Sequence, residues 1–165
     1  KSIELNPKFL QANLNLASIY RELGKLKEAE ICYRNSIDID PSLFNSHFLL
    51  ASNLISQNRY EEAEEPLRKT IILKPEFADS YHNLGCILKD IGKLDEAEKI
   101  FRKAIEVKPD DAKTNYLLSQ VLSKQKKYKD SLIEIKKAIN KDKENHIYQG
   151  ELTRIKFMVN EIEKE

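Results

Sequence analysis

The chain has 165 residues, 41% hydrophobic and 33% charged, enough apolar material for a buried core. Its 28 Lys and Arg against 27 Asp and Glu leave a formal charge of +1, which argues against a binder of bulk polyanions. No apolar run reaches the roughly 18 residues of a membrane span, the first residues carry no secretory signal, and the apolar content is too high for a disordered tail.

Four Gly and five Pro leave little material for turns, so a sequence rich in Ala, Leu, Lys and Glu points to long helices. A step of 34 residues organises it. The step joins Pro7, Pro41, Pro75 and Pro109, and also Leu16, Leu50, Leu84 and Leu118. Small residues keep it at Ala17, Ala51, Gly85 and Ser119, and again at Ala29, Ala63, Ala97 and Ser131. Large apolar residues keep it at Tyr33, Leu67, Phe101 and Ile135, and Ile stands at 3, 37, 71, 105 and 139. Units of this length stack, because one helix pair cannot cover its own apolar face.

In chain order, residues 1–9 match the end of a unit, with Ile3 in the Ile column and Pro7 in the Pro column. The chain is therefore expected to begin inside a repeat of a longer array. Four units follow, at 10–43, 44–77, 78–111 and 112–145. In the first, Ala12, Leu16, Ala17, Tyr20 and Leu23 fall on one stripe of a helix. A turn follows at Gly24, and at Asn58, Gly92 and Lys126 in later units; Gly and then Asn best tolerate the left-handed conformation that ends a helix. Lys126 departs from that rule, so the fourth turn is expected to be the most strained or mobile.

A second helix opens on acids that suit a helix N-terminus, in Lys27-Glu28, Glu61-Glu62 and Asp95-Glu96. It ends before Pro41, Pro75 or Pro109, whereas the fourth unit has Lys143 in place of its closing Pro. Pro66 falls inside the second helix of its unit and predicts a kink or a delayed helix start. Small residues of the first helix are expected to face Ala or Ser of the second, with large side chains on either side contributing about 1.5–3 kcal/mol each. Residues 146–165 form a last helix, with Tyr148, Leu152, Ile155, Val159 and Ile162 on one stripe, suited to cap the stack. Ile147, Phe157 and Met158 lie off that stripe and are free for a following domain or a second chain.

The columns Leu16-Ala17-Tyr20, Ala29, Tyr33 and Pro41, and Leu84-Gly85, Gly92, Ala97, Phe101, Ala104 and Pro109, resemble the tetratricopeptide repeat over nearly the whole chain. The resemblance implies an all-α fold: a right-handed superhelical solenoid of antiparallel helix pairs with a C-terminal capping helix. Where the family often has Trp, this sequence has Asn13, His47, Tyr81 and Asn115, and His47 is expected to be a packed core residue. In the family the first helix of each pair lines a concave groove that binds peptides or helices. Carried over by position, the groove candidates are Leu14, Asn15, Phe48, Leu49, Ile55, His82, Asn83, Lys89, Tyr116, Leu117 and Gln120. Several of the apolar ones fit equally well as packing between neighbouring first helices. The carboxylate clamp of chaperone-binding members is not expected, because Leu14 and Ser18 occupy its positions. Asn15 and Asn83 resemble part of the asparagine ladder of O-linked N-acetylglucosamine transferase arms, which Leu49 and Leu117 interrupt.

Catalytic chemistry is not apparent. His47, His82 and His146 lack partners at zinc-hydrolase spacing, no phosphate loop or nucleophile elbow occurs, and Cys32 and Cys86 read as reduced thiols. No metal or cofactor is expected, and Glu61, Glu62, Glu64 and Glu65 read as a solvated helix start. Residues 101–145 hold 12 basic and 7 acidic side chains, while 1–100 hold 13 and 16. Lys124, Lys126, Lys127 and Lys129 form either a solvated loop or a dock for an acidic partner. The expected function is a non-enzymatic, cytoplasmic scaffold that binds a protein or peptide, with no nucleic acid and no membrane as partner. Two alternatives stand beside it: residues 84–98 are similar to bacterial arrays fused to glycosyl-, sulfo- or methyltransferases, and the ends of the stack could support self-association.

Overall fold

A computed structural model describes residues 7–162, and the reading of Lys1–Asn6, Ile3 included, lies outside them. Among the described residues there are nine helices and no strands. They are α1 (Pro7–Glu22), α2 (Leu26–Ile39), α3 (Phe44–Ser56), α4 (Tyr60–Leu73), α5 (Ala78–Asp90), α6 (Leu94–Val107), α7 (Ala112–Lys124), α8 (Tyr128–Lys141) and α9 (His146–Ile162). They fall into two compact units, Lys1–Asn83 and Leu84–Glu165. In the first, α1 packs on α2, α2 on α3 and α3 on α4; in the second, α6 packs on α7, α7 on α8 and α8 on α9.

The turn inside each helix pair is the same motif four times. Gly24, Asn58, Gly92 and Lys126 have φ of 71°, 59°, 83° and 62°. Each donates its N–H to the carbonyl three residues back, as Gly24 does to Arg21 at 3.0 Å and Lys126 to Ser123 at 3.0 Å. The next residue reaches five back: Lys25 to Tyr20 at 2.8 Å, Arg59 to Leu54 at 3.0 Å, Lys93 to Leu88 at 2.8 Å and Lys127 to Leu122 at 2.9 Å. Both carbonyls would otherwise be orphaned at the helix end. Lys126 adopts the conformation of the glycines, although its Cβ makes left-handed backbone unfavourable, so the strain expected of the fourth turn has a structural basis.

Helices α2, α4 and α6 stop two residues before Pro41, Pro75 and Pro109. Helix α8 stops at the same register without a proline, so closure does not depend on the ring alone. At all four ends an extended residue follows, with φ between −133° and −144°. Helix α1 starts at Pro7, so residues 7–9 belong to it rather than to a preceding unit. Proline suits a first helical position, where the N–H it lacks has no acceptor in any case. Pro66 brings no delayed start: α4 runs from Tyr60 to Leu73 with Pro66 buried inside it. Forfeiting one bond to Glu62 is tolerated there, and the Pro66 carbonyl accepts from Thr70 Oγ1 at 2.8 Å.

Burial follows the small-residue columns. Ala17, Ala51 and Ser119 of the first helices and Ala29, Ala63, Ala97 and Ser131 of the second are all fully buried. Ser131 Oγ donates to the Ser119 carbonyl at 2.7 Å, the close approach expected of two small residues. Gly85 differs: its neighbour is the Phe101 ring rather than Ala97, and a Cβ there would lie 2.6 Å from the ring carbon. The α1 stripe also differs from expectation. Only Ala17 of that set is buried and Tyr20 half-buried, while Ala12, Leu16 and Leu23 are exposed because no described helix lies on that side of α1.

His47 is buried and its Nε2 donates to the Pro41 carbonyl at 2.9 Å, so it is a packed core residue. Asn115, at the same register, is fully buried; it donates to Glu134 at 2.7 Å and accepts from Lys141 at 2.6 Å. Helix α9 lays Tyr148 and Ile155 against Ile135 and Ala138 of α8, with Leu152 and Val159 packed beside them. The Ile162 side chain lies outside the described residues, and Ile147 and Phe157 are exposed.

Two substitutions test these constraints. Gly85→Ala should destabilise by about 1–3 kcal/mol, because the added methyl overlaps the Phe101 ring in a packed core. Lys126→Gly should stabilise by roughly 0.5–1 kcal/mol, relieving left-handed strain at a modest entropic cost. Urea titration of each variant measures both.

Candidate functional site

The groove candidates divide between the two units, and each set has its own surroundings. In the first unit, α3 presents Phe48, Leu49 and Ile55, all half-buried, along one face. Ser52 lies on that face and spends its hydroxyl on the Phe48 carbonyl at 2.9 Å. Phe48 meets Phe77 edge to face at 4.8 Å, and Phe44 meets the same ring at 5.4 Å. Lys74 Nζ sits 4.4 Å from the Phe44 centroid, within range of the negative face of the ring. These contacts hold a three-ring cluster rigid while leaving part of each ring in solvent.

On α1, Leu14 is half-buried and Asn15 exposed, its Oδ1 accepting from Gln11 Nε2 at 2.8 Å. His82 and Asn83 are half-buried on α5. The structure thus leaves accessible surface at Leu14, Asn15, Phe48, Leu49, Ile55, His82 and Asn83.

The second unit is more occupied. Leu117 is only 8% exposed and belongs to the core, because α7 is packed on both sides by α6 and α8. Tyr116 lies 5.0 Å from Tyr148 of α9, and its hydroxyl accepts from Gln120 Nε2 at 2.7 Å. Both side chains are half-buried, and Tyr116 packs against the cluster that α8 and α9 form. Lys89 is half-buried and pairs with Asp90 at 3.2 Å. Sequence position alone did not separate Tyr116 and Leu117 from the residues of α3, since the helices packed beside α7 decide their exposure.

A second constellation escaped the reading of apolar columns. The same 34-residue step joins Glu30, Glu64 and Glu98, joins Arg34, Arg68 and Arg102, and joins Lys25, Arg59, Lys93 and Lys127. Each Glu pairs with the Arg one turn on, at 2.8, 2.8 and 2.9 Å. Glu30 also reaches Arg59 at 2.5 Å, and Glu98 reaches Lys127 at 2.7 Å, so an acid of one pair grips the turn of the next. Burial works to raise the Glu30 and Glu98 carboxyls, but hydrogen bonds from these cations outweigh it and hold both below their ordinary value. Arg59 and Lys127 stand at helix N-termini, where a cation meets the positive end of the dipole, and the glutamates offset that charge.

Elsewhere the ionisable groups offer little chemistry. Burial pushes the Cys86 thiol up to about 11 and raises Cys32 as well, so neither is a poised thiolate. Among the described residues no three His, Cys, Asp or Glu side chains are grouped to hold a metal ion. Among the same residues no helix is long and apolar enough to cross a membrane.

Paired helices with left-handed turns and small-residue contacts, repeated every 34 residues, define an all-α helical-repeat protein. The family profile described as tetratricopeptide repeat matches residues 10–43 and 78–111. Those two of the four 34-residue units are thus tetratricopeptide repeats. Solved structures share the fold: a MamA protein at TM-score 0.90 and 17% identity, covering 93% of this chain and 84% of that one. A MamA fragment from Desulfovibrio magneticus RS-1 aligns at TM-score 0.81 and 15% identity, covering 94% of each chain. Pseudomonas aeruginosa pilF aligns at TM-score 0.78 and 20% identity, covering 94% of this chain and 71% of that one. A comparison with curated proteins found no match to the sequence.

The glutamate network carries a pH dependence. Folded Glu30 and Glu98 titrate below the ordinary 4.5, so their stabilisation is present above that value and is lost as pH falls through the lowered ones. Stability measured by urea titration from roughly pH 6 to pH 3 should fall on this limb, and Arg59→Ala with Lys127→Ala should flatten it.

Proposed function

We propose that this chain is a protein–protein interaction scaffold whose first unit holds a peptide or helix against the exposed face of α3. The observation that carries this reading is the half-buried ring cluster of Phe44, Phe48 and Phe77 beside Leu49 and Ile55. Rigid aromatic surface is an efficient anchor, because little rotamer freedom remains to be lost on binding. The tetratricopeptide repeat fold supports the scaffold role, since stacked helix pairs present side chains from a preorganised backbone. Asn15, His82 and Asn83 supply hydrogen-bonding capacity in the same unit and suit an extended or helical backbone. Binding rather than catalysis is the role assigned, because the α3 face offers apolar and aromatic surface.

The test uses peptides selected from a random library against the whole chain. Phe48→Ala should weaken selected peptides at least tenfold, about 1.4 kcal/mol, whereas Phe157→Ala on α9 should leave them unchanged. Titration by fluorescence anisotropy measures both, and undiminished affinity for Phe48→Ala and Leu49→Ala rejects the α3 face.

A further inference from the structure

A cleft between successive helix pairs appears in both units, and the two copies differ in their chemistry. In the first unit Arg34 and Ile37 of α2, His47 and Leu50 of α3, and Pro66 and Lys69 of α4 line a cleft of about 310 Å³. Two steps of the repeat later, Arg102, Ile105, Leu118, Glu134 and Lys137 line one of about 220 Å³. His47 and Leu50 lie on the side of α3 turned away from Phe48 and Ser52, so the first cleft is separate from the ring cluster.

The second cleft holds a carboxylate of its own. Glu134 is only 5% exposed, accepts from Asn115 Nδ2 at 2.7 Å and pairs with Lys137 at 2.8 Å. Lys141 reaches both the Asn115 side chain and the Pro109 carbonyl. In the first unit three of these four side chains are exchanged: His47 stands for Asn115, Pro66 for Glu134 and Leu73 for Lys141. His47 takes over the proline carbonyl, donating to Pro41 at 2.9 Å. Pro66 is buried and offers no acceptor in its side chain. The lysine alone persists. Lys69 matches Lys137, yet it makes no hydrogen bond or ion pair with any described residue. Glu65 also lines the cleft, but it is exposed and does not pair with Lys69. Arg34 adds positive charge at the rim while its Nε and Nη2 hold Glu30. A cation thus meets an apolar wall in one unit where its counterpart meets a buried acid in the other.

We propose that the first cleft binds an aliphatic carboxylate from outside the chain, of the kind a glutamate side chain presents, at the register that Glu134 fills in the second unit. Its oxygens accept from Lys69 Nζ in a charge-assisted bond, and its methylenes pack on Ile37, Leu50 and Pro66. A volume of about 310 Å³ lies at the small end of ligand sites, which suits one such group. A glutamate within a protein segment and a free dicarboxylate share this chemistry.

The test titrates the isotopically labelled whole chain with glutarate and with N-acetylglutamate N-methylamide, following amide chemical shifts at constant ionic strength. Saturable shifts are expected around His47, Leu50 and Lys69, and Lys69→Ala should weaken binding about tenfold. Pro66→Glu supplies the acid from within the chain and should abolish binding, whereas Pro66→Ala, which removes the same ring, should keep it. Glu65→Gln should tighten binding by removing a like charge from the rim. Glutaramide, the neutral isostere, should not bind. Binding of the blocked glutamate assigns the cleft to a residue of a protein segment, binding of glutarate alone assigns it to a free acid, and either supports the site. Absent saturable shifts, equal shifts at the lysines of residues 124–129, equal binding of glutaramide, or binding indifferent to Lys69→Ala and Pro66→Glu overturns the proposal.

Discussion

The close approach of the two helices in each pair is the constraint on which the rest depends. Ala17, Ala29, Ala51, Ala63, Ala97, Ser119 and Ser131 are fully buried at that contact, and none has a side chain larger than a hydroxymethyl group. Small residues bring backbones near enough that large side chains fill the flanks, as the Phe101 ring does over Gly85. Lengthening one of these side chains would separate the helices and open voids beside Tyr33, Leu67 or Ile135. The left-handed turn is the second half of the same constraint. It folds the chain back within two residues and uses both orphaned carbonyls, so the helices enter the contact already aligned.

Contacts between one pair and the next obey a different rule. They combine an apolar core, such as the cleft shared by Ile37 and Leu50, with a charged edge in which Glu30 or Glu98 holds a basic turn residue. The basic residue is a poor choice for a helix N-terminus taken alone, since the dipole repels it. Its value lies in the step between pairs, where it satisfies a carboxylate already partly withdrawn from water. Surface ion pairs contribute little, about 0–1 kcal/mol, but a shared carboxylate with two cations gives direction to an otherwise non-directional apolar contact.

Exposure decides what the surface can do, and it separates residues that look alike in the sequence. Phe48 and Leu117 are both apolar residues of a first helix. Phe48 keeps part of its ring in solvent beside Phe77, whereas Leu117 is closed in by the helices on either side of α7. Leu16 and Leu50 occupy one column, yet one is open and the other sealed under α2. A periodic sequence repeats its side chains, but the ends of a stack do not repeat their neighbours.

Much of this architecture was written in local rules. The 34-residue step, the left-handed turn at Gly24, Asn58, Gly92 and Lys126, the small columns and the last helix all follow from side-chain size and backbone freedom, which act within one or two turns. Helix ends were legible for the same reason, although α8 shows that they do not need proline and α4 that an internal proline can be absorbed. Tertiary structure alone decided that Gly85 makes room for a ring, that Tyr116 packs beside α9, that Glu30 and Glu98 bridge successive pairs, and that one face of α1 stays open. Each of these depends on which helix lies alongside, and a sequence period states what recurs without stating what stands next to it.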